Sequence, residues 1–255
     1  MTRRDLAMGA LGGLLLALEG CDGPGAQAGN GRSSSPLVRM GAGSPMRLDP
    51  TPVRVALRGL RLVVPANCFD SPLMSEGRDR AGYELQSDIL LAAVLPGLEC
   101  RTKANRDRFM STGPASPLVT ILIYTIGSGR RIASAMSTLY ELDEERVTQH
   151  NREVRATAEK VREVRARGGA LPVSWQETPR TIRRYPDGGF VVCRNLTGPL
   201  VHMCTAKIAF HDTVVQIRFA GGFDARYGRL RQVVLDKLEE FRTEAGARPG
   251  APHDG

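Results

Sequence analysis

Lysine, histidine and tryptophan are scarce in this chain. Of its 35 basic residues only four are lysines, and it has four histidines and one tryptophan. Long apolar runs are also missing, because the longest has 13 residues and a membrane-spanning helix needs about 20. No cysteines have the CxxC spacing of zinc sites, and no zinc knuckle, aromatic-basic RNA-binding motif or helix-turn-helix is recognisable. The sequence therefore predicts no metal, no cofactor and no nucleic-acid partner.

The chain carries a net positive charge that comes almost entirely from arginine. The formal net charge is +8, and nearly all of the basic residues are arginines. Alanine and glycine are also abundant, as in proteins from GC-rich genomes, so codon bias accounts for part of the arginine content. The charge remains compatible with an acidic protein partner or an anionic membrane surface.

The N-terminus has the pattern of an export signal. Arg3 and Arg4 precede a 13-residue apolar run, residues 6–18, and Glu19-Gly20-Cys21 follows it. At 1.5 Å per residue the run spans about 20 Å, too short for a permanent membrane helix. Arg3-Arg4 resembles the twin-arginine export motif. The general secretory route stays open, because the twin-arginine route carries folded proteins and would require any disulfides to form afterwards.

Leu18-Glu19-Gly20-Cys21 resembles a bacterial lipobox, from which Glu19 departs. The resemblance implies cleavage before Cys21, diacylation of its sulfur and stable membrane anchoring. Asp22 in second place implies retention at the inner membrane on its periplasmic side. Two alternatives remain open. Cys21 is the chance end of an ordinary signal, or translation starts at Met40 or Met46.

Cysteine usage agrees with export. The four other cysteines form an even set, which in an oxidising compartment predicts two disulfides with three possible pairings: Cys68, Cys100, Cys193 and Cys204. The eleven-residue step from Cys193 to Cys204 suits two neighbouring strands. We therefore predict Cys193–Cys204, and with less direct support Cys68–Cys100.

Composition divides the chain into four segments. Residues 1–20 are the signal, and residues 21–52 are rich in Gly, Ser, Pro and Ala and predict a flexible tether after the lipidated cysteine. Residues 53–243 predict a single folded domain, and residues 244–255 a disordered tail. Removal of residues 1–20 leaves 235 residues, enough for such a domain.

The first part of the predicted domain has the residue patterns of β-strands. Val53–Leu57 and Leu60–Val64 alternate around an Arg58-Gly59 turn, and Pro117–Ile126 is rich in β-branched residues. The apolar run Ile89–Leu95 predicts a strand covered on both faces or a short helix. Residues 101–109 are basic and loop-like, and Gly127-Ser128-Gly129 lacks the partners of a phosphate-binding or nucleophile motif and predicts a turn.

Residues 132–167 predict a long charged helix or helix pair ending at Gly168-Gly169. A narrow apolar stripe recurs every seven residues: Tyr140, Val147, Val154 and Val161. One interpretation is a solvated helix lying across a sheet, and the other is a partner-binding arm.

The last third predicts a β-meander followed by a helix. Three strand patterns follow each other: residues 190–193, 200–210 and 213–219. A helix then presents one apolar face, made of Leu230, Val233, Val234, Leu238 and Phe241. The fold class predicted is α+β, an antiparallel sheet packed by the long charged helix and by this C-terminal amphipathic helix.

Catalytic groups are sparse. His202 and His211-Asp212 are near each other in the predicted meander, but the sequence places no nucleophile, base and orienting group together. Trp175 is interpreted as a core or strand anchor. We predict that the protein is not an enzyme, and a periplasmic hydrolase is the less favoured alternative.

Three stretches carry a family resemblance: Val63–Phe69, Leu95–Thr102, and Cys204–Phe219 with its closing helix. Together they resemble small proteobacterial periplasmic lipoproteins, some of which look like immunity proteins encoded beside type VI secretion effectors. The resemblance implies binding of a toxic effector protein and carries no catalytic residues. Arg101, Arg106 and Arg108 are the candidate partner-binding residues, because arginine is enriched at interfaces. An envelope structural or assembly lipoprotein is the alternative function.

Overall fold

The computed structural model describes residues 48–71, 73, 76–111, 113, 115–126, 131–170, 177–196, 203–221 and 227–246. Several predictions concern residues outside this set. They are the export signal, lipidation at Cys21, most of the tether, the Gly127-Ser128-Gly129 turn, Trp175 and His202.

Nine strands and three α-helices make up the described part of the chain. The strands are β1 Pro52–Leu57, β2 Leu60–Pro65, β3 Glu84–Leu85, β4 Asp88–Val94, β5 Leu118–Tyr124, β6 Glu177–Arg184, β7 Phe190–Leu196, β8 Met203–Phe210 and β9 Thr213–Ala220. The helices are α1 Arg106–Met110, α2 Ile132–Ala166 and α3 Tyr227–Gly246, and a 3₁₀ turn spans Ala66–Cys68.

The strands form two sheets. A three-stranded sheet has the order β2-β1-β3, with β1 and β2 antiparallel and β3 parallel to β1. The other has six strands in the order β4-β5-β9-β8-β7-β6, and all its pairings are antiparallel. The protein therefore has the predicted α+β fold with antiparallel sheets, a long helix and a C-terminal helix.

The β1–β2 hairpin closes where the sequence predicted. Leu57 pairs with Leu60 across a two-residue turn. Arg58 and Gly59 have φ of 33° and 96°, so both lie in the left-handed region that a type I′ turn requires. Glycine adopts this conformation readily, which suits the second position.

The main core lies between the two sheets and α3. Alternate residues of β1, β2, β4, β5, β7, β8 and β9 face it. The predicted apolar face of α3 packs against them, with Leu230, Val234, Leu238 and Phe241 each at most 4% exposed. Full burial of such a side chain contributes roughly 1.5–3 kcal/mol, so α3 is a principal stabilising element of the domain.

The N-terminal half of α2 covers the opposite face of the six-stranded sheet. Met136 packs against Phe190 of β7 and Val214 of β9, and Val147 is buried further along the helix. Asp143 forms an ion pair with Lys207 of β8 at 2.6 Å, and both side chains are nearly covered. The interpretation of α2 as a helix lying across a sheet is confirmed for this half.

The strand prediction for residues 89–95 is also confirmed. Ile89 and Leu91 of β4 face the main core, whereas Ala92 and Val94 pack with Phe109 on the other side. Both faces are covered, as an apolar run without alternation requires.

Some boundaries differ from the predictions. α3 continues to Gly246, past the predicted domain end at residue 243, and Tyr83 donates a hydrogen bond to Ala245 O at 2.8 Å. The stretch predicted as a loop at 101–109 ends in the short helix α1. β6 is an additional strand beside the predicted meander.

Candidate functional site

The described part of the chain contains two disulfides, and they join the predicted pairs. Cys193 and Cys204 lie opposite each other on β7 and β8, with their Cα atoms 4.1 Å apart. Cys68 of the 3₁₀ turn is bonded to Cys100 in the loop after β4, with a Cα separation of 4.6 Å. Stable disulfides are typical of proteins outside the reducing cytoplasm.

The Cys68–Cys100 disulfide holds a loop that carries all three predicted partner-binding arginines. We call residues 95–111 the stapled loop. Val94 and Glu99 exchange two backbone hydrogen bonds of 3.0 and 3.1 Å, which fold the start of the loop back on β4. Leu95 N donates to Pro117 O at 2.9 Å and so closes the far side. The loop is therefore tied to the sheet at both ends.

Arg101 is not available to a partner, and its assignment as a surface residue is corrected. It is 9% exposed and forms an ion pair with Asp70, whose side chain is buried too. Its Nη1 donates to Phe69 O at 3.1 Å, and its guanidinium lies 5.2 Å from the ring centre of Phe109. Arg101 thus anchors the stapled loop to the segment after β2.

Two buried asparagines complete this anchor. Asn67 Nδ2 donates to Arg101 O at 2.6 Å, and Arg101 N donates to Asn67 O at 3.2 Å. Asn105 Nδ2 donates to Cys100 O at 3.0 Å, while its Oδ1 accepts from Thr102 N at 2.8 Å. These bonds satisfy backbone groups that regular secondary structure leaves unpaired. They fix the loop conformation without using its outer surface.

Arg108 also makes its main side-chain contacts within the stapled loop. Its Nη1 pairs with Glu99 at 3.0 Å, and its Nη2 donates to Leu95 O. The side chain is 38% exposed, so one edge of it still reaches solvent. Its main contacts nevertheless brace α1 against the start of the loop.

Arg106 is the one predicted arginine that has no side-chain partner among the described residues, and it lies on the outer side of the stapled loop. It is exposed on the first turn of α1, and Lys103 is exposed just before the helix. Met110 lies four residues after Arg106 and therefore on the same side of the helix. At 49%, Met110 is the most exposed of the large hydrophobic residues that the structure describes. We call Lys103, Arg106 and Met110 the stapled-loop surface.

Sequence reasoning found Arg106 but missed Lys103 and Met110. The available signal was a methionine one helical turn after an arginine. Asp70 gave no local signal of its role, since it lies 31 residues before the arginine that it binds.

His211 and Asp212 lie in the β8–β9 turn, beside a groove of about 410 Å³ that Arg58, Arg61 and Arg242 also line. His211 Nε2 is 3.4 Å from Glu239. The neighbouring Thr213 hydroxyl donates to Phe210 O at 2.7 Å and so does not face the histidine as a nucleophile would. Within the described ranges, no three His, Cys, Asp or Glu residues are grouped to hold a metal ion.

Two tyrosines, the buried Tyr227 and the half-buried Tyr124, have perturbed ionisation. Burial raises the pKa of Tyr227 above its ordinary value, and the charge of Asp187 adds to the effect. Burial likewise raises the pKa of Tyr124, followed by the nearby charge of Asp143. Both effects disfavour the phenolate. These tyrosines belong to the core and lie outside the stapled loop.

Comparison with known proteins gives no family. No family model matches the chain, and no curated protein matches it. One similar solved structure is Smlt3025, an immunity protein of the Stenotrophomonas maltophilia type IV secretion system, with 16% identity and a TM-score of 0.45 over 76% of this chain and 94% of that one. Another is the Neisseria meningitidis iron-regulated outer membrane lipoprotein FrpD, with 12% identity and a TM-score of 0.41 over 78% of this chain and 98% of that one. TM-scores this low establish neither a shared fold nor a shared function. Within the part of the chain that the structure describes, no helix is long and apolar enough to span a membrane.

Proposed function

We propose that the protein is a lipid-anchored periplasmic binder that captures a partner protein stoichiometrically and performs no catalysis. The partner is a secreted antibacterial effector, and the protein acts as its immunity protein. The observation that carries the proposal is the stapled-loop surface, where an exposed methionine and two cations stand on a rigid loop.

Rigidity is the first argument. Association costs conformational entropy when loops become ordered, and a loop already fixed in its bound conformation avoids that cost. The Cys68–Cys100 disulfide and the Arg101–Asp70 ion pair fix the stapled loop before any partner arrives. Such internal bracing at an exposed loop favours tight recognition.

Residue type is the second argument. Methionine and arginine are enriched in interface cores, and a central apolar anchor flanked by arginine is a common hot-spot arrangement. Met110 supplies the apolar anchor, and Arg106 and Lys103 supply positive charge beside it. An acidic patch on the effector complements these cations and the overall charge of +8, and charge matching of this kind accelerates capture.

The location proposed rests on the sequence and on the disulfides. The lipobox-like motif at Cys21 provides a membrane anchor, and residues 21–52 have the composition of a tether. A coil of about 30 residues has a mean end-to-end distance of about 30 Å, which allows the domain to sample the space beside the membrane. Inner-membrane retention through Asp22 and delivery of the effector by type VI secretion stay predictions.

The test is co-expression, in a sensitive strain, of the exported protein with the product of the adjacent gene. We expect that product to be toxic in the periplasm, and we expect this protein to restore growth and to co-purify with it. Arg106→Glu should weaken both effects, whereas Arg162→Glu, which changes an exposed arginine of α2, should not. If the product is toxic and the protein neither rescues growth nor co-purifies with it, the proposed immunity function is wrong. An envelope structural role then becomes the favoured function.

A further inference from the structure

Among the strands that the structure describes, β6 forms one edge of the six-stranded sheet and pairs only with β7. Tyr185 N donates to Gly189 O at 2.8 Å at the end of this hairpin. Because hydrogen-bonding direction alternates along an antiparallel strand, Arg183 and Thr181 also direct their backbone groups toward β7. Arg180, Ile182 and Arg184 direct theirs away from the sheet.

Helix α2 already occupies one end of this edge. Asn151 Nδ2 donates to Arg180 O at 2.9 Å, and Arg180 N donates to Asn151 Oδ1 at 2.7 Å. His150 Nε2 lies 3.1 Å from Thr178 O beside it. The Asn151 amide therefore makes the two bonds that a neighbouring strand would make, which also shows that the Arg180 backbone points outward.

The other end of the edge is open. In the described ranges, the outward N–H and C=O groups of Ile182 and Arg184 have no hydrogen-bond partner. The opposite edge of the same sheet is different, because Asp70 N donates to Leu90 O of β4 at 3.0 Å and Phe69 forms a bridge to Leu91. As far as the described residues go, one sheet edge is thus covered, and the other has four backbone groups without a partner.

The open edge is strongly basic. β6 carries three arginines and β7 adds Arg194, which lies opposite Arg180. Arg183 and Arg194 are exposed, and neither forms an ion pair with any other residue that the structure describes. Arg184 lies 4.8 Å from the ring centre of Tyr140, whose hydroxyl donates to Glu144 at 2.8 Å. Glu144 is therefore linked to this end of the strand through Tyr140.

The positive charge of the β6 edge determines which kind of strand can pair with it. A second copy of β6 would place arginine opposite arginine, and like charges on paired strands are destabilising. Charged side chains on an edge strand prevent self-association in this way. A strand that carries carboxylates would instead pair with Arg184 on the α2 face of the sheet or with Arg183 on the other face, while completing the main-chain ladder.

We propose that the β6 edge at Ile182 and Arg184 binds an extended acidic segment of a partner protein, which adds to the sheet as a short strand. This surface is separate from the stapled-loop surface. Five strand spacings of about 4.8 Å, or roughly 24 Å, separate β6 from β4, the strand that leads into the stapled loop. The inference therefore goes beyond the proposed function and does not depend on the stapled loop.

Hydrogen exchange tests the proposal on the full exported chain, with Cys21→Ser to keep it soluble. The probe is the peptide acetyl-Glu-Val-Glu-Val-Glu-Val-Glu-amide, and NMR follows the amides of β6. At saturation, exchange at Ile182 and Arg184 should slow at least tenfold, whereas Arg180, already bonded to Asn151, should change little. Unchanged exchange at Ile182 and Arg184 with millimolar peptide would overturn the proposal.

Peptide and protein variants separate strand addition from simple charge attraction. A peptide N-methylated at alternate residues keeps its charge but loses its donors, and it should bind at least tenfold more weakly by fluorescence anisotropy. The double variant Arg183→Glu/Arg184→Glu should lose binding, while Arg106→Glu should keep it, because Arg106 belongs to the stapled-loop surface. Equal binding of the N-methylated peptide, or of the double variant, would contradict the proposal.

Discussion

Replacement of Arg101 by alanine should strongly destabilise the domain, because Arg101 is part of the scaffold. The change removes the ion pair to Asp70, the hydrogen bond to Phe69 O and the contact with the Phe109 ring. It leaves the Asp70 carboxylate, which is 6% exposed, without its cation. Breaking one partner of a buried ion pair costs about 3–5 kcal/mol. At about 2–4 °C per kcal/mol for a domain of this size, Tm should fall by roughly 6–20 °C.

Urea denaturation of the oxidised protein, followed by circular dichroism, measures this free energy directly. Arg106→Ala is the matched control, since it removes an exposed arginine from the same loop, and it should stay within about 0.5 kcal/mol of the parent. The double variant Arg101→Met/Asp70→Leu should recover much of the loss, because it leaves no unpaired buried charge. An Arg101→Ala variant as stable as Arg106→Ala would refute the assignment of Arg101 to the scaffold.

Three further predictions follow from the same structure. Replacing Cys68 and Cys100 by alanine opens a loop of 32 residues, and the chain-entropy relation gives a loss of about 3–4 kcal/mol in urea denaturation; a loss below about 1 kcal/mol would contradict it. Because burial raises the pKa of Tyr227, the unfolded chain releases this proton first, so stability should fall as pH rises above about 10. Tyr227→Phe should reduce that fall in denaturation measured across alkaline pH, and an unchanged profile would argue against it. Finally, Cys21→Ser should release the protein from membranes into the soluble periplasm, and a variant that resists a carbonate wash would show another anchor.

Much of the fold is predictable because its signals are local. The hairpin at Arg58-Gly59, the apolar strand β4 and the apolar face of α3 depend on alternation, turn residues and helical spacing within short windows. The signal for the end of α2 is equally local, since it is the glycine pair itself. Gly168 adopts a φ of 70°, and Gly169 N donates to Val164 O at 2.9 Å. These bonds close the last turn of the helix as the sequence predicted.

The features that were missed depend on distant partners. The sequence of β6 resembles a polar loop because Pro179 and three arginines interrupt its alternation. It is a strand because β7 pairs with it on one side and Asn151 binds the outward backbone groups of Arg180 on the other. Burial of Arg101 likewise depends on Asp70, which reaches it through the fold and the disulfide. Of the three arginines predicted to bind a partner, only Arg106 lacks a side-chain partner among the residues that the structure describes. Composition alone cannot distinguish an arginine that braces a loop from an exposed one.

The most direct measurement of the central claim is the affinity of the exported domain for the product of the adjacent gene. Isothermal titration calorimetry should give one-to-one binding for the parent and for Arg162→Glu. For Arg106→Glu, we expect a dissociation constant at least tenfold higher, equivalent to about 1.4 kcal/mol, with unchanged stability in urea. No binding by the parent, or equal affinity of Arg106→Glu and Arg162→Glu, would contradict the claim that the stapled-loop surface captures a partner.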